Sequence, residues 1–313
     1  YLGGQGVLSM TTVMKRQRNA YLFGIAAVML WSTVASAFKL SLRYLDPAQL
    51  LLYSSLVSVF ALSLILAFQG KLGAIFTCSK SEYLQSFRLG LINPFLYYLV
   101  LFKAYDLLPA QIAQPINYTW ALTMTFLSIP LLKQKIGVQE IVAGIVCYLG
   151  VVVISTRGDI TGLGGVSLPG VALALGSTVL WSLYWIYNIK DTRDPAAGLL
   201  LNFLFGLPFI FVYCLLFSDF RAVPPAGLAG AAYVGMFEMG ATFVLWLYAL
   251  KHAENTARVG YLIFLSPFLS LVFIRFFVGE RIMASTVAGL ALIVAGLIIQ
   301  QVGSARGRRA DRA

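Results

Sequence analysis

Apolar runs of about twenty residues, separated by short polar stretches, set the rhythm of this chain. They lie at Tyr21–Leu40, Pro47–Gln69, Leu84–Leu107, Ala110–Leu132, Val138–Ser155, Pro169–Ile189, Pro195–Phe217, Ala226–Leu250, Thr256–Val278 and Met283–Gln301. A helix of roughly twenty residues rises the ~30 Å of a bilayer core, so each run is long enough to cross once. Within lipid every backbone N–H and C=O must find its partner inside the segment, which selects helices, and the runs are too long for barrel strands. The pattern predicts an all-α polytopic membrane protein with ten transmembrane helices. Pro94, Pro115, Pro208 and Pro267 interrupt four of the runs; each is expected to kink or open its helix on a side that faces protein or water.

Composition supports this reading. Hydrophobic residues make up 59 % of the 313 positions and charged residues 11 %, with a mean hydropathy of +0.84, whereas soluble domains carry about 25 % charge. The net charge of +11 does not form a stripe of the kind that binds nucleic acid; the basic residues cluster between runs and act as topology signals. With the amino terminus inside, sixteen of the 23 Lys and Arg residues fall on the cytoplasmic side, among them Lys15, Arg16, Arg18, Lys71, Lys135, Lys190, Arg258, Arg306 and Arg312. Both termini are therefore expected in the cytoplasm of a bacterial inner membrane. Met10 or Met14 is the more natural start. Ala35-Ser36-Ala37 has the look of a cleavage site, but the run before it has a full-length mate at Gly170 to Ile189, so it is read as a retained helix. Cys78, Cys147 and Cys214 are odd in number and far apart, which supports neither a disulfide framework nor a zinc site.

The mate is part of a repeat. Met29 to Ala35 is echoed by Val179 to Trp185 around a shared Leu-Trp-Ser, and Asp46-Pro47-Ala48 by Asp194-Pro195-Ala196. Gly90 pairs with Gly235, Ala104 with Ala249 and Gly144 with Gly289. Markers in order with a slowly drifting offset indicate a duplicated five-helix unit. The expected division is a tail at 1–19, a first repeat at 20–155, a linker at 156–168, a second repeat at 169–302 and a basic tail at 303–313. Five is odd, so the second unit enters the membrane inverted, a recurrent build of secondary transporters with the site near the midplane.

These residues, with Ser266-Pro267, Gly279-Glu280-Arg281, Gly289 and Gly296, resemble the drug/metabolite transporter superfamily in its ten-span EamA-type branch. The likeness covers about Tyr21 to Gln301. Its aromatic content and polar set are most similar to the aromatic amino-acid exporters of YddG type, which implies export of such amino acids. The first half departs from the pattern, with Lys133-Gln134-Lys135 where the second half has Val278-Gly279-Glu280.

Polar side chains inside spans are costly and usually face a cavity or a partner helix. Ser32, Ser36 and Lys39 share one face of the first run; Lys39 either contacts a substrate carboxylate or snorkels to the headgroups. Asn93 and Tyr97 share a face of the third run and map by the repeat onto Glu238 and Thr242 of the eighth, with Trp246 one turn further. Glu238 can neutralise an amino group, carry a proton or pair with a hydroxyl. Gln111, Gln114 and Tyr118 line one face of the fourth run beside Asn117 and Trp120, fit either to bind a headgroup or to join helices. Trp181 and Trp185, with Tyr184, Tyr187 and Asn188 near them, fall too deep for an interfacial belt and, with Trp31, form either an aromatic wall for a substrate or plain packing.

The leading expectation is a secondary transporter that exports small amphipathic metabolites, aromatic amino acids first, by alternating access through a central cavity. It needs no cofactor or metal, has lipid and a small-molecule substrate as partners, binds no nucleic acid, and is expected as a monomer. A broad drug or nucleotide-sugar carrier is the alternative. An embedded enzyme lacks candidates, since His252 is the one histidine and it sits at a helix end. No phosphate-binding Gly-Lys-Ser/Thr loop points to ATP, and no recurrent filter sequence points to a channel.

Overall fold

The computed structural model describes residues 3–133, 137–159, 166–188, 191–219, 223–252 and 261–310. Among the basic residues counted above, Lys135, Lys190, Arg258 and Arg312 lie outside these, as do Gln134, the middle of the expected linker and the first residues of the ninth run. The fold is all-helical. Helix α1 (Gly3–Ser41) begins well before the first apolar run and takes in most of the expected amino-terminal tail. It is followed by α2 (Pro47–Phe68), α3 (Lys80–Gly90) and α4 (Tyr97–Leu107), then α5 (Ala110–Tyr118), α6 (Trp120–Leu132) and α7 (Val138–Ser155). The second half contains α8 (Leu168–Asn188), α9 (Pro195–Phe217), α10 (Pro225–Tyr233), α11 (Thr242–His252), α12 (Ser266–Phe273) and α13 (Ala284–Ala310).

Among the described residues, six helices are long and apolar enough to cross a membrane: Arg18–Ser41, Pro47–Phe68, Leu168–Asn188, Pro195–Phe217, Pro225–Trp246 and Ala284–Gln301. The other apolar runs are shorter or broken. Between α3 and α4 the segment Leu91–Leu96 is wound as a π-helix, with Asn93 in an extended conformation ahead of Pro94. The α5 and α6 helices part at Thr119, and a 3-10 turn at Tyr261–Leu265 precedes α12. A second π-helix, Val234–Ala241, joins α10 to α11 within a continuous run. Pro208 sits inside α9 without interrupting it.

Side chains are distributed as lipid requires. Phe68 is 90 % exposed and Phe276 79 %, while Ser32, Ser54, Ser58 and Asn202 are fully buried. Large apolar groups thus point outward and small polar groups sit between helices, where tight packing and interhelical hydrogen bonds replace the hydrophobic effect. The ends are capped by design of the sequence. Asp46 accepts N–H bonds from Ala48 and Gln49 at 2.8 and 2.9 Å, and Gln49 closes a capping box. Asp194 does the same for α9 with Ala196 and Ala197, and its carboxylate also takes Lys71 at 2.7 Å.

Helix contacts come in matched pairs that exchange the two halves. The α4 helix packs on α8 and α11 on α1; α6 packs on α8 and α12 on α1; α2 packs on α9 and α7 on α13. Gly90 rests against α9, where a Cβ would meet the Asn202 carbonyl at 2.4 Å, and Gly235 rests against α2, where a Cβ would meet the Ser54 carbonyl at 2.3 Å. Gly90 directly precedes the first π-helix and Gly235 lies within the second. Helices α7 and α13 run antiparallel at small residues, with Gly150 on Gly289 and Gly296 on Ala143.

Candidate functional site

A cavity lies where α1, α4, α5, α8 and α11 converge. Its wall includes Trp31, Phe38, Tyr97, Leu101, Tyr105, Gln114, Asn117, Tyr118, Trp120, Trp181, Trp185, Glu238, Phe243 and Trp246. The chain has five tryptophans, and all five are in this wall. The space open to the centre of a water molecule is about 210 Å³, on the order of fifteen water-sized positions at ~10–15 Å³ each. That is room for a small metabolite with one ring.

Trp181 is the hub of the aromatic wall. Its ring stacks on Tyr97 at 4.6 Å and on Tyr184 at 5.8 Å, and meets Trp185 edge-on at 5.8 Å, Phe243 at 6.0 Å and Trp120 at 6.4 Å. Across from it Trp31 lies 5.5 Å from Trp246 and 5.9 Å from Phe243. Such pairs contribute about 0.5–1.5 kcal/mol each beyond burial, so the wall is rigid before any ligand arrives. Rigidity is reinforced from behind, because the Tyr184 hydroxyl accepts from Asn202 at 3.2 Å.

Polar atoms are few and held in place. The Tyr98 hydroxyl donates to Glu238 Oε1 at 3.3 Å. Asn117 Nδ2 donates to Ser177 Oγ at 3.0 Å, and Ser270 Oγ donates to Gln114 Oε1. Tyr118 donates to Ser266 Oγ at 2.8 Å, and Ser32 donates to the same oxygen at 3.2 Å. Among the described residues, Glu238 is the one charged side chain in the wall. None of them forms a metal-binding cluster of His, Cys, Asp and Glu.

Of the thirteen residues expected from sequence, the structure brings nine to the cavity: Trp31, Tyr97, Gln114, Asn117, Trp120, Trp181, Trp185, Glu238 and Trp246. Four lie elsewhere. Ser32 is fully buried outside the wall, bonded to the Val28 carbonyl at 2.6 Å. Lys39 donates to the carbonyls of Tyr105 and Leu108 at 2.7 and 2.8 Å and so closes the carboxyl end of α4; it is not part of the cavity wall. Asn93 is buried in the first π-helix. Thr242 turns back to donate to the Phe237 carbonyl, five residues earlier. That bond gives the physical reason for the mismatch: a π turn takes one more residue than an α turn. One turn on from Glu238 the cavity therefore receives Phe243, not Thr242. Phe38, Leu101, Tyr105 and Phe243 were not anticipated, whereas Tyr118 shared the helical face of Gln114.

Multiple long apolar helices, buried polar networks and a central amphipathic cavity define an all-α polytopic membrane protein. The sequence model of the EamA-like transporter family matches residues 18–156 and again 168–300. The chain belongs to the EamA-like transporter family, within the drug/metabolite transporter superfamily. Relatives are named as uncharacterized transporters. One from Clostridium kluyveri is 30 % identical over 54 % of this chain and 56 % of its own length, so the chain spans little more than half of that relative. One from Bacillus subtilis is 27 % identical over 67 % of this chain and 68 % of its own. Another from the archaeon Archaeoglobus fulgidus is 26 % identical over 87 % of this chain and 95 % of its own. A crystal structure with 21 % identity superposes with a TM-score of 0.67, covering 92 % of this chain and 98 % of that one, a likeness of fold.

Proposed function

We propose that the chain is a ten-span secondary transporter of inverted five-helix repeats, bounded at 20–155 and 169–302, that exports small amphipathic metabolites by alternating access through the tryptophan-lined cavity. The family model matching twice, the paired helix contacts and the two π-helices at repeat-related positions support the inverted build. The excess of basic residues on one side supports two cytoplasmic termini in a plasma membrane.

Small aromatic metabolites that carry an amino group, the aromatic amino acids among them, are the substrate class favoured, in the manner of the aromatic amino-acid exporters. The single observation that carries this is the gathering of all five tryptophans around one cavity of amino-acid size. Flat rings bury well against such a wall, and a few polar groups fix the remainder. The alternative of a nucleotide-sugar carrier asks for cations opposite phosphates, and the described wall offers a carboxylate instead. Counterflow in liposomes with labelled tryptophan, phenylalanine and tyrosine tests the reading. Saturable uptake of at least one, lost in Trp181→Ala, is expected; uptake of nucleotide sugars alone contradicts it.

A further inference from the structure

We infer that the pole recognised by this cavity is positive: the preferred cargo is an aromatic amine, and a free carboxylate on the ligand counts against it. The inference rests on the cavity being the transport site and goes on to its charge preference. Three observations combine. Glu238 projects from the π-helix into the wall, and among the described residues no Lys, Arg or His accompanies it there. Lys39, the one basic side chain set deep in α1, is committed to two backbone carbonyls at the end of α4. The wall beside the carboxylate is aromatic: Trp31 hydrogen-bonds Glu238 and packs 5.5 Å from Trp246 and 5.9 Å from Phe243.

Each element acts on an ammonium in the same direction. The Glu238 oxygens can accept N–H donors and supply the opposite charge; Tyr98 and Trp31 each donate one hydrogen bond to the carboxylate, and its two oxygens offer about four acceptor sites, so capacity remains. Indole faces attract a cation through their quadrupole, most strongly where water is scarce. An α-carboxylate meets the reverse: it must leave water, and it faces a like charge without a counter-ion. The Gln114 oxygen accepts from Ser270 and Asn117 donates one N–H to Ser177; the remaining amide N–H groups are neutral donors and supply no counter-charge to a carboxylate. Arg258 lies outside the described residues, so it enters the test as its own arm.

The test uses the purified full chain and its intrinsic fluorescence, which reports from this cavity because every tryptophan lines it. Three ligands share one ring and do not emit with tryptophan: phenethylamine, phenylalanine and 3-phenylpropionate. The expected order is amine, then amino acid, then acid, with the amine binding about tenfold or more tighter than the amino acid, the scale of one like-charge contact. Glu238→Gln should bring amine and amino acid within about twofold of each other. Equal or tighter binding of phenylalanine by the wild type overturns the inference, as does an amine preference that survives Glu238→Gln. Selective loss of phenylalanine binding in Arg258→Gln also overturns it, by revealing a cation that reads the carboxylate. In each of these cases the aromatic-metabolite reading stands. Binding of none of the three ligands removes both.

Discussion

Lys39 and Glu238 are both ionisable side chains set into apolar runs, and their surroundings differ. Lys39 belongs to a polar cluster at one end of the helices. Its ammonium takes the last carbonyls of α4, while Glu280 accepts the first N–H groups of α5, from Ala110 at 2.8 Å and Gln111 at 3.1 Å. A cation at a helix carboxyl end and an anion at an amino end complement the helix dipoles, and both groups satisfy backbone atoms that lipid would leave unpaired. Gln111 extends the cluster to the Arg281 carbonyl and the Met283 N–H. Glu238 takes the Tyr98 hydroxyl and the Trp31 indole as donors, binds no helix-end backbone, and lines the cavity. Charge at the helix ends is spent on backbone; charge in the cavity remains for a ligand.

That contrast orders the expected effects of substitution. Trp181→Ala should be most severe, because it removes a ring that touches five others. A loss of about 3–5 kcal/mol in stability is expected for so large a truncation, with ligand binding abolished in fluorescence titration; Trp181→Phe should retain part of both. Lys39→Met comes next. It leaves two helix-end carbonyls unpaired, at about 1–3 kcal/mol, seen as a lower melting temperature, while the ligand preference stays unchanged. Glu280→Gln keeps one acceptor oxygen for the α5 N–H groups and should cost about 1 kcal/mol, again without altering preference.

The smallest effect is expected at the opposite helix end from Lys39. Burial pushes the Asp194 carboxyl up, but Lys71 and the backbone N–H groups of Ala196 and Ala197 outweigh it and hold the group below its ordinary value of 3.8. Its stabilisation is therefore complete above that value and fades as pH falls through the lower folded one. Asp194→Asn keeps the helix cap and loses only the exposed ion pair. Thermal unfolding should show a difference from wild type at the edge of detection at neutral pH, vanishing in acid.

Much of this molecule was legible in the sequence. Run length and hydropathy gave an all-helical membrane protein, Asp-Pro-Ala marked the starts of α2 and α9, and depth within the runs brought Trp31, Trp181, Trp185 and Trp246 into the site. The failures share a cause. Faces assigned at 3.6 residues per turn go astray at π-helices, so Thr242 and Asn93 were placed in the cavity and Phe243 was not. Lys39 could not be assigned from α1 alone, because its partners belong to α4, sixty-six residues or more away. Among the described residues, broken helices likewise explain why six helices meet the length of a membrane crossing where ten runs are apolar enough.

The most direct test sets the two charges side by side. Fluorescence titration of phenethylamine and phenylalanine should be run on wild type, Glu238→Gln and Lys39→Met. The ratio of the two dissociation constants should collapse towards one in Glu238→Gln and hold its wild-type value in Lys39→Met. A ratio that moves with Lys39 and ignores Glu238 would contradict the account.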